Sequence, residues 1–155
     1  MTPAINLLIK TNTPHTVHEY VHEKSAASYG LEAAEKMDAA TTQIFKTLVV
    51  MLDNQTLAVC IIPVSSLLNM KRIANAFGVK KVTMANKADV ERSTGYVLGG
   101  VSPLGQKKRL KTMIDSSAAQ HSIIYVSGGR RGLEIALSTH DLKTLTQGEI
   151  GQLCQ

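Results

Sequence analysis

Tryptophan is absent from this chain, phenylalanine occurs twice in 155 residues, and all aromatics together make up 4%. An aromatic platform for stacking single-stranded bases therefore has little to be built from. With 44% hydrophobic residues, the core must be aliphatic, made of Leu, Ile, Val, Ala and Met. The two cysteines form neither a disulfide framework nor a CxxC pair: Cys60 sits inside an apolar run and Cys154 lies next to the C-terminus. Cys60 reads as a small core hydrophobe. No apolar run approaches the ~20 residues of a membrane helix. Residues 1–10 lack the basic start and long apolar stretch of a signal peptide. A soluble, cytoplasmic protein is expected.

Catalytic machinery is also sparse. There is no G-x-S-x-G, the carboxylates are too scattered to name a pair, and five histidines are spread without a nucleophile nearby. No metal and no cofactor are expected.

What the chain does have is positive charge. It carries +5 net, clustered at Lys71–Arg72, Lys80–Lys81, Lys107 to Lys111 and Arg130–Arg131, a bias toward anionic partners such as nucleic acid. No repeat, linker or low-complexity tract divides it, so residues 1–155 read as one domain, large enough to bury roughly 70% of its unfolded surface.

Thr2 followed by Pro3 starts a short helix with Ile5, Leu8 and Ile9 on one face. Residues 16–22 read as a strand, 25–30 as a small-residue loop and 31–37 as a helix. Residues 44–52 and 57–62 read as a β-hairpin turning at 53–55. Ser65 or Ser66 is expected to cap a helix over 67–77, with Leu67, Met70, Ile73, Ala74 and Phe77 inward and Gly78 at its end. A strand over 80–84 and a helical turn over 88–92 follow. Tyr96 to Leu98 reads as a short strand, as do 110–114, 123–126 and 133–137. Ser138 opens a last helix to Leu145; the tail beyond has no clear pattern. Strands joined by both hairpins and helices indicate α+β: a mixed, curved or barrel-like sheet surrounded by helices.

Two near-motifs fail on physical grounds. His18-Glu19-Tyr20-Val21-His22 spells the zinc pattern H-E-x-x-H, which works only on a helix. On a strand the two imidazoles would stand roughly 13 Å apart, too far to share one ion. Gly100 to Lys107 nearly spells a phosphate-binding P-loop, but lysine does not directly follow Gly105 and no Ser or Thr follows it.

The most informative stretch is STGYVLGGVSPLGQKKR, residues 93–109. Its glycines allow tight turns and close approach of a ligand to backbone N–H groups. Its basic end supplies the field an anionic ligand would need. A hairpin with a solvated basic strand accounts for the same residues. Lys46 stands out in a different way, as a lone charge on the strand face of Leu48 and Val50. It is either a lysine snorkelling at the sheet margin or a cation at the mouth of a pocket.

The segment 93–109, together with MTPAI at the start, FKTL at 45–48 and YVSGGRRGL at 125–133, resembles the YbaK/EbsC-type aminoacyl-tRNA deacylases. These are free-standing relatives of the editing domain of bacterial prolyl-tRNA synthetase. The resemblance spans nearly the whole chain. It implies hydrolysis of the ester of mischarged tRNA, notably Cys-tRNA(Pro), with the substrate's own thiol and ribose hydroxyls assisting, or cyclising the cysteinyl group in a lyase-type step. Family members act beside prolyl-tRNA synthetase. It further implies Lys46, Gly99 and Gly100 as the catalytic set, with Lys46 and Thr47 on the terminal adenosine. Tyr20, Tyr29, Gly99, Gly100, Ser127 and Glu134 would line the aminoacyl pocket. Tyr29 stands where relatives carry phenylalanine and Glu134 where aspartate is common. Arg109 and Arg130 are expected on tRNA phosphates from their charge and location. The alternatives are an Ala-tRNA(Pro) editing enzyme and a non-catalytic RNA-binding module.

Overall fold

The computed structural model describes residues 1–23 and 29–155. The loop expected over 25–30 lies outside them as far as residue 28, and the helix after it already begins at Tyr29.

Helix α1 (Pro3–Lys10) is capped as its sequence predicts, the Ile5 N–H donating to Thr2 Oγ1. It buries Ala4 and Leu8 but leaves Ile9 56% exposed, so the inward stripe is narrower than the sequence reading. Strand β1 (Thr16–Glu19) is shorter than the expected 16–22. Its partner β7 begins at Leu133, opposite Glu19, and the Gly132 turn ends the ladder there. Helix α2 (Tyr29–Lys36) follows.

Strands β2 (Phe45–Leu52) and β3 (Thr56–Pro63) form the expected hairpin, in register from Phe45↔Pro63 to Leu52↔Thr56. Asp53 and Asn54 turn it with φ of 51° and 57°, a conformation that short polar side chains tolerate. Helix α3 (Met70–Phe77) starts three residues later than expected. Asn69, not a serine, caps it through the Arg72 N–H. Leu68 instead forms a bridge with Cys154, and Asn69 donates its N–H to Leu153 O, so the C-terminal tail takes the backbone groups a longer helix would have used. Leu67 is correspondingly exposed, and Met70 partly so. Gly78 closes α3 at φ 70°.

Strand β4 (Val82–Met84) leads into α4 (Lys87–Thr94), capped by Asn86 and closed by Gly95. Residues 96–98 are a turn, not a strand. The Lys107 and Lys108 N–H groups bond back to Thr94 O and Ser93 O, which ties the glycine segment into a closed loop on the end of α4. Tyr96 is buried beneath that loop, its hydroxyl donating to Leu104 O at 2.5 Å. The remaining elements are β5 (Lys111–Asp115), a 3-10 turn (Ser116–Gln120), β6 (Ile123–Ser127), β7 (Leu133–Ser138), α5 (Thr139–Thr146) and β8 (Glu149–Gly151). Ser138 caps α5 through the Asp141 N–H.

The strands make two sheets, ordered β1-β7-β6 and β4-β2-β3-β5-β8. Among the described residues they are joined by the bridge Ile44↔Tyr125. The architecture is a mixed α+β domain with two sheets, and they do not close into a barrel. Phe45, Val49, Val59 and Ile61 pack against Ile124, Val126, Ile135 and Leu137 between the sheets, with Leu8 of α1 beside them. The opposite face of the five-stranded sheet, carrying Val50, Cys60 and Ile62, packs on Ile73, Ala74 and Phe77 of α3. Burial on both faces is why β3 reads as a continuous apolar run. Among the described residues no helix is long and apolar enough to cross a membrane.

Candidate active site

A cavity of about 330 Å³ opens where the two sheets meet, within the lower range of ligand pockets. Strand β2 supplies its floor from Phe45 to Val49, Tyr20 enters just past the end of β1, and Gly99 comes from the loop on α4. Ser127 ends β6, Glu134 sits on β7, and Arg130 to Gly132 form the turn between those strands. Residues far apart in sequence are thus gathered by the β2–β6 junction.

Two glycines make the gathering possible. Gly132 has φ 84°, and a Cβ there would lie 2.5 Å from Tyr20 O. Tyr20 donates its N–H to Gly132 O, so the turn holds the tyrosine in the wall. At Gly100 a Cβ would stand 2.9 Å from Arg130 Cα. The absence of a side chain there lets the two loops touch.

Lys46 is half-buried on the cavity wall, and among the described residues it makes no ion pair or hydrogen bond. Thr47 Oγ1 is buried, with no hydrogen-bond partner among the described residues. Glu134 is buried, and burial raises its carboxyl to about 8, so it holds its proton at neutral pH. The Tyr20 hydroxyl is pushed up to about 12, first by burial and then by the charges of Glu134 and Glu32. The cavity therefore offers an ammonium, a hydroxyl, a neutral carboxylic acid and a phenol on largely apolar walls.

Of the residues singled out in the sequence, Tyr20, Lys46, Thr47, Gly99, Ser127, Arg130 and Glu134 line this cavity. Gly100 stands behind it, and its N–H is already donated to Val97 O at 2.8 Å. The resemblance implied Gly100 in the catalytic set with Gly99, and the structure places it behind the cavity rather than on its wall. Tyr29 begins α2. Arg109 lines a second, more polar cavity of about 180 Å³ with Lys108 and Gln106, apart from Arg130. Arg130 approaches Glu19 at 3.4 Å on the exposed rim, a contact of little energetic weight.

Some participants were not singled out. Arg131, Met84 and Leu98 also line the cavity; Arg131 was visible beside Arg130 in the basic turn, whereas nothing local marks Met84. The pairing of His22 with Glu32 left no sequence signal either. His22 Nδ1 lies 2.7 Å from Glu32 Oε1, and Glu32 Oε2 accepts the Glu23 N–H. Burial would raise the Glu32 carboxyl, but those bonds outweigh it and hold it below the usual range. His18, the other histidine of H-E-x-x-H, lies back on β1 with Nε2 2.8 Å from Thr16 Oγ1. Among the described residues no three His, Cys, Asp or Glu side chains gather as metal ligands.

Comparison with known proteins gives a consistent picture. The family described as the aminoacyl-tRNA editing domain matches residues 23–145. A curated relative from Enterococcus faecalis, EbsC, named as a proposed Cys-tRNA(Pro)/Cys-tRNA(Cys) deacylase, is 34% identical over 152 residues, covering 98% of this chain and 92% of its own. A crystal structure of a proposed trans-editing enzyme for prolyl-tRNA synthetase superposes with a TM-score of 0.87 at 20% identity, covering 99% of this chain and 95% of the other. A scaffold used for computational epitope grafting superposes at 0.86 with 21% identity, with the same coverage. At those identities the two structures speak for the fold alone.

Proposed function

The chain belongs to the aminoacyl-tRNA editing domain family, and from that premise we propose that it hydrolyses the aminoacyl ester of mischarged tRNA, with Cys-tRNA(Pro) as substrate. The observation that carries the reading is the cavity at the β2–β6 junction, whose wall holds the Lys46 ammonium and the Thr47 hydroxyl with no hydrogen-bond or ion-pair partner among the described residues. Polar groups left unpaired in an apolar cavity cost stability unless a ligand satisfies them.

In this reading Lys46 binds an anionic or hydroxyl group at the 3′ end of the tRNA. Tyr20, Ser127 and Glu134 surround the aminoacyl group, and Arg130 meets a phosphate at the rim. Gly99 offers the backbone donor for the ester oxygen, Gly100 having spent its own on Val97 O. The described residues of the cavity include no cysteine or histidine, and its one serine, Ser127, lines it with no imidazole among its neighbours there. The attacking or assisting group is therefore assigned to the substrate, its thiol or terminal ribose hydroxyl, with the protein contributing position and electrostatics. Loss of the cysteinyl group by cyclisation is compatible with the same placement. The substrate is the mischarged product of prolyl-tRNA synthetase, and action beside that enzyme is part of the proposal.

Purified protein assayed on Cys-, Ala-, Ser- and Pro-charged tRNA tests it. The Cys ester should be cleaved fastest, since a thiol is the better nucleophile at neutral pH. Equal rates for Cys and Ser would transfer the chemistry to the protein, and preference for Ala would make it an Ala-tRNA(Pro) enzyme. Binding without turnover would leave an RNA-binding module.

A further inference from the structure

The second cavity encloses about 180 Å³ between α1, the end of the glycine loop, β5 and α5. Leu7, Leu110 and Leu145 give it apolar walls that pack on the core. No carboxylate stands among the described residues that line it. Lys108 and Arg109 are exposed at its rim, and neither makes an ion pair or side-chain hydrogen bond among the described residues. Gln106 also lines it and spends one of its two amide N–H groups on Ser102 O at 2.9 Å. The Thr112 and Thr146 hydroxyls are already donated to Leu110 O and Leu142 O. The side-chain donors left for a ligand are therefore two cations and one amide, with no negative group competing for them. They are carried on a clamped loop: the Lys108 N–H bonds to Ser93 O, and Gly105 (φ 68°) lets the loop press on Pro3, where a Cβ would stand 2.6 Å from the carbonyl. Donors fixed in this way lose little freedom when a ligand arrives.

The same loop joins this cavity to the first: Gly99 and Val101 line the first, Gly105 and Gln106 the second. A second tie runs along α1. Thr2 donates its hydroxyl to Gly128 O at 2.5 Å, beside Ser127 of the first cavity, and Leu7 lines the second. From Thr2 to Leu7 the helix rises about 7.5 Å, which with the half-widths of the cavities sets their centres on the order of 15 Å apart.

We propose that the second cavity is a socket for the phosphate at the 5′ end of the substrate RNA, engaged while the 3′ ester lies in the first. The inference rests on the deacylase reading, under which both ends of one acceptor stem arrive together. A transfer RNA pairs its 5′ end and leaves a 3′ overhang of about four nucleotides, which spans about 14 Å when stacked at about 3.4 Å each. That length matches the separation of the cavities. A terminal phosphate monoester carries about −1.5 to −2 charge at neutral pH, whereas a phosphate within the strand carries about −1. Two cations without carboxylate partners complement the monoester better. A small cavity with leucine walls also suits a chain end, since a strand passing through would bring a ribose on each side of its phosphate. The socket thus tells an RNA end from RNA backbone, which a cation on an open face does not.

The test uses acceptor minihelices charged with cysteine by an aminoacylating ribozyme and identical except at the 5′ end: a monophosphate, its methyl ester or a hydroxyl. On the wild type, kcat/KM should fall on the order of tenfold from monophosphate to hydroxyl, with the methyl ester between them. The double variant Lys108→Ala, Arg109→Ala should lose about that factor on the monophosphate and treat the three ends alike. Both side chains are exposed, so its melting temperature should match the wild type. Equal wild-type rates on the three ends would overturn the proposal. So would a methyl ester as good as the monophosphate, or a variant weakened equally on all three, since either would assign the cations to backbone phosphate. Inorganic phosphate and adenosine monophosphate probe a free ligand as the source of the anion. Inhibition only at millimolar levels is expected; micromolar binding of either that the double variant abolishes would overturn the assignment to RNA. Dissociation constants of the uncharged minihelices read the 5′ preference without chemistry. If the charged minihelix binds but is not cleaved, the deacylase reading fails, while the order of those constants still decides this one.

Discussion

Lys46 separates a substrate role from a packing role at a single position. It interrupts a strand otherwise rich in apolar residues, and among the described residues no carboxylate answers its charge. Truncation to alanine should remove a charge-assisted contact with substrate worth about 1.5–3 kcal/mol. That is roughly ten- to a hundredfold in kcat/KM. Melting temperature should hardly change, because a half-buried ammonium is costly to desolvate. Lys46→Arg should restore little, a planar fork being a poor substitute for a compact ammonium in a tight site. Unchanged turnover in Lys46→Ala, with lowered stability, would make the lysine a packing residue. Glu134 gives a second test at this scale. Its carboxyl is raised by burial from 4.5 to about 8, so between those values the folded state keeps a proton that the unfolded chain releases. Stability from this group is complete below about 4.5 and is lost as pH rises to about 8. Glu134→Gln removes the titration, so its melting temperature should gain on the wild type from pH 5 to 8 and level off above. A constant difference across that range would mean the carboxyl is ionised in the folded protein.

At the scale of the element, legibility followed locality. The β2–β3 hairpin was readable because an apolar run, an Asp-Asn turn and a second apolar run lie within twenty residues. The caps at Thr2, Gly78 and Ser138 were readable because a cap is a contact between neighbours. The start of α3 was not, since Leu68 pairs with Cys154 from the far end of the chain. The same holds for residues 96–98: their alternation suits a strand, but burial of Tyr96 and the bonds from Lys107 and Lys108 to the end of α4 fold them into a loop. At the site, the basic and glycine-rich residues announced themselves, whereas the His22–Glu32 pair and the Met84 wall depend on contacts that no local pattern encodes. The β6–β7 turn supplies a test of how rigid this assembly is. Gly132→Ala places a Cβ against Tyr20 O and asks alanine to adopt φ 84°. Strain and clash together should cost about 2 kcal/mol or more, lowering the melting temperature by roughly 4–8 °C for a domain of this size. Deacylation should fall beyond what the lost stability explains, because the turn also holds Tyr20. Wild-type stability and turnover in Gly132→Ala would show that the wall can shift freely.

The whole molecule carries +5 net charge, but the structure distributes it over more than one surface. Arg130 and Arg131 stand at the main cavity, while Lys108 and Arg109 line the second one. A substrate whose single-stranded end enters the main cavity therefore meets the first cluster, and only a body extending beyond it reaches the second. If about three phosphates of the single-stranded end are neutralised, log affinity should fall against log salt with a slope of roughly −2. Comparing Arg130→Ala with Arg109→Ala then assigns the contacts. A phosphate ligand lost at the rim should make the slope shallower by about 0.7 for each contact removed, with the loss uniform across aminoacyl groups because phosphates carry no side-chain information. Arg130→Ala should show this with a short minihelix. Arg109→Ala should show it only when the RNA is long enough to leave the cavity mouth, so intact tRNA and a trinucleotide end should give different answers for this variant alone. A slope near zero for the wild type would remove nucleic acid from the substrate. An equal effect of Arg109→Ala on the trinucleotide would place the second cavity on the path of the 3′ end itself.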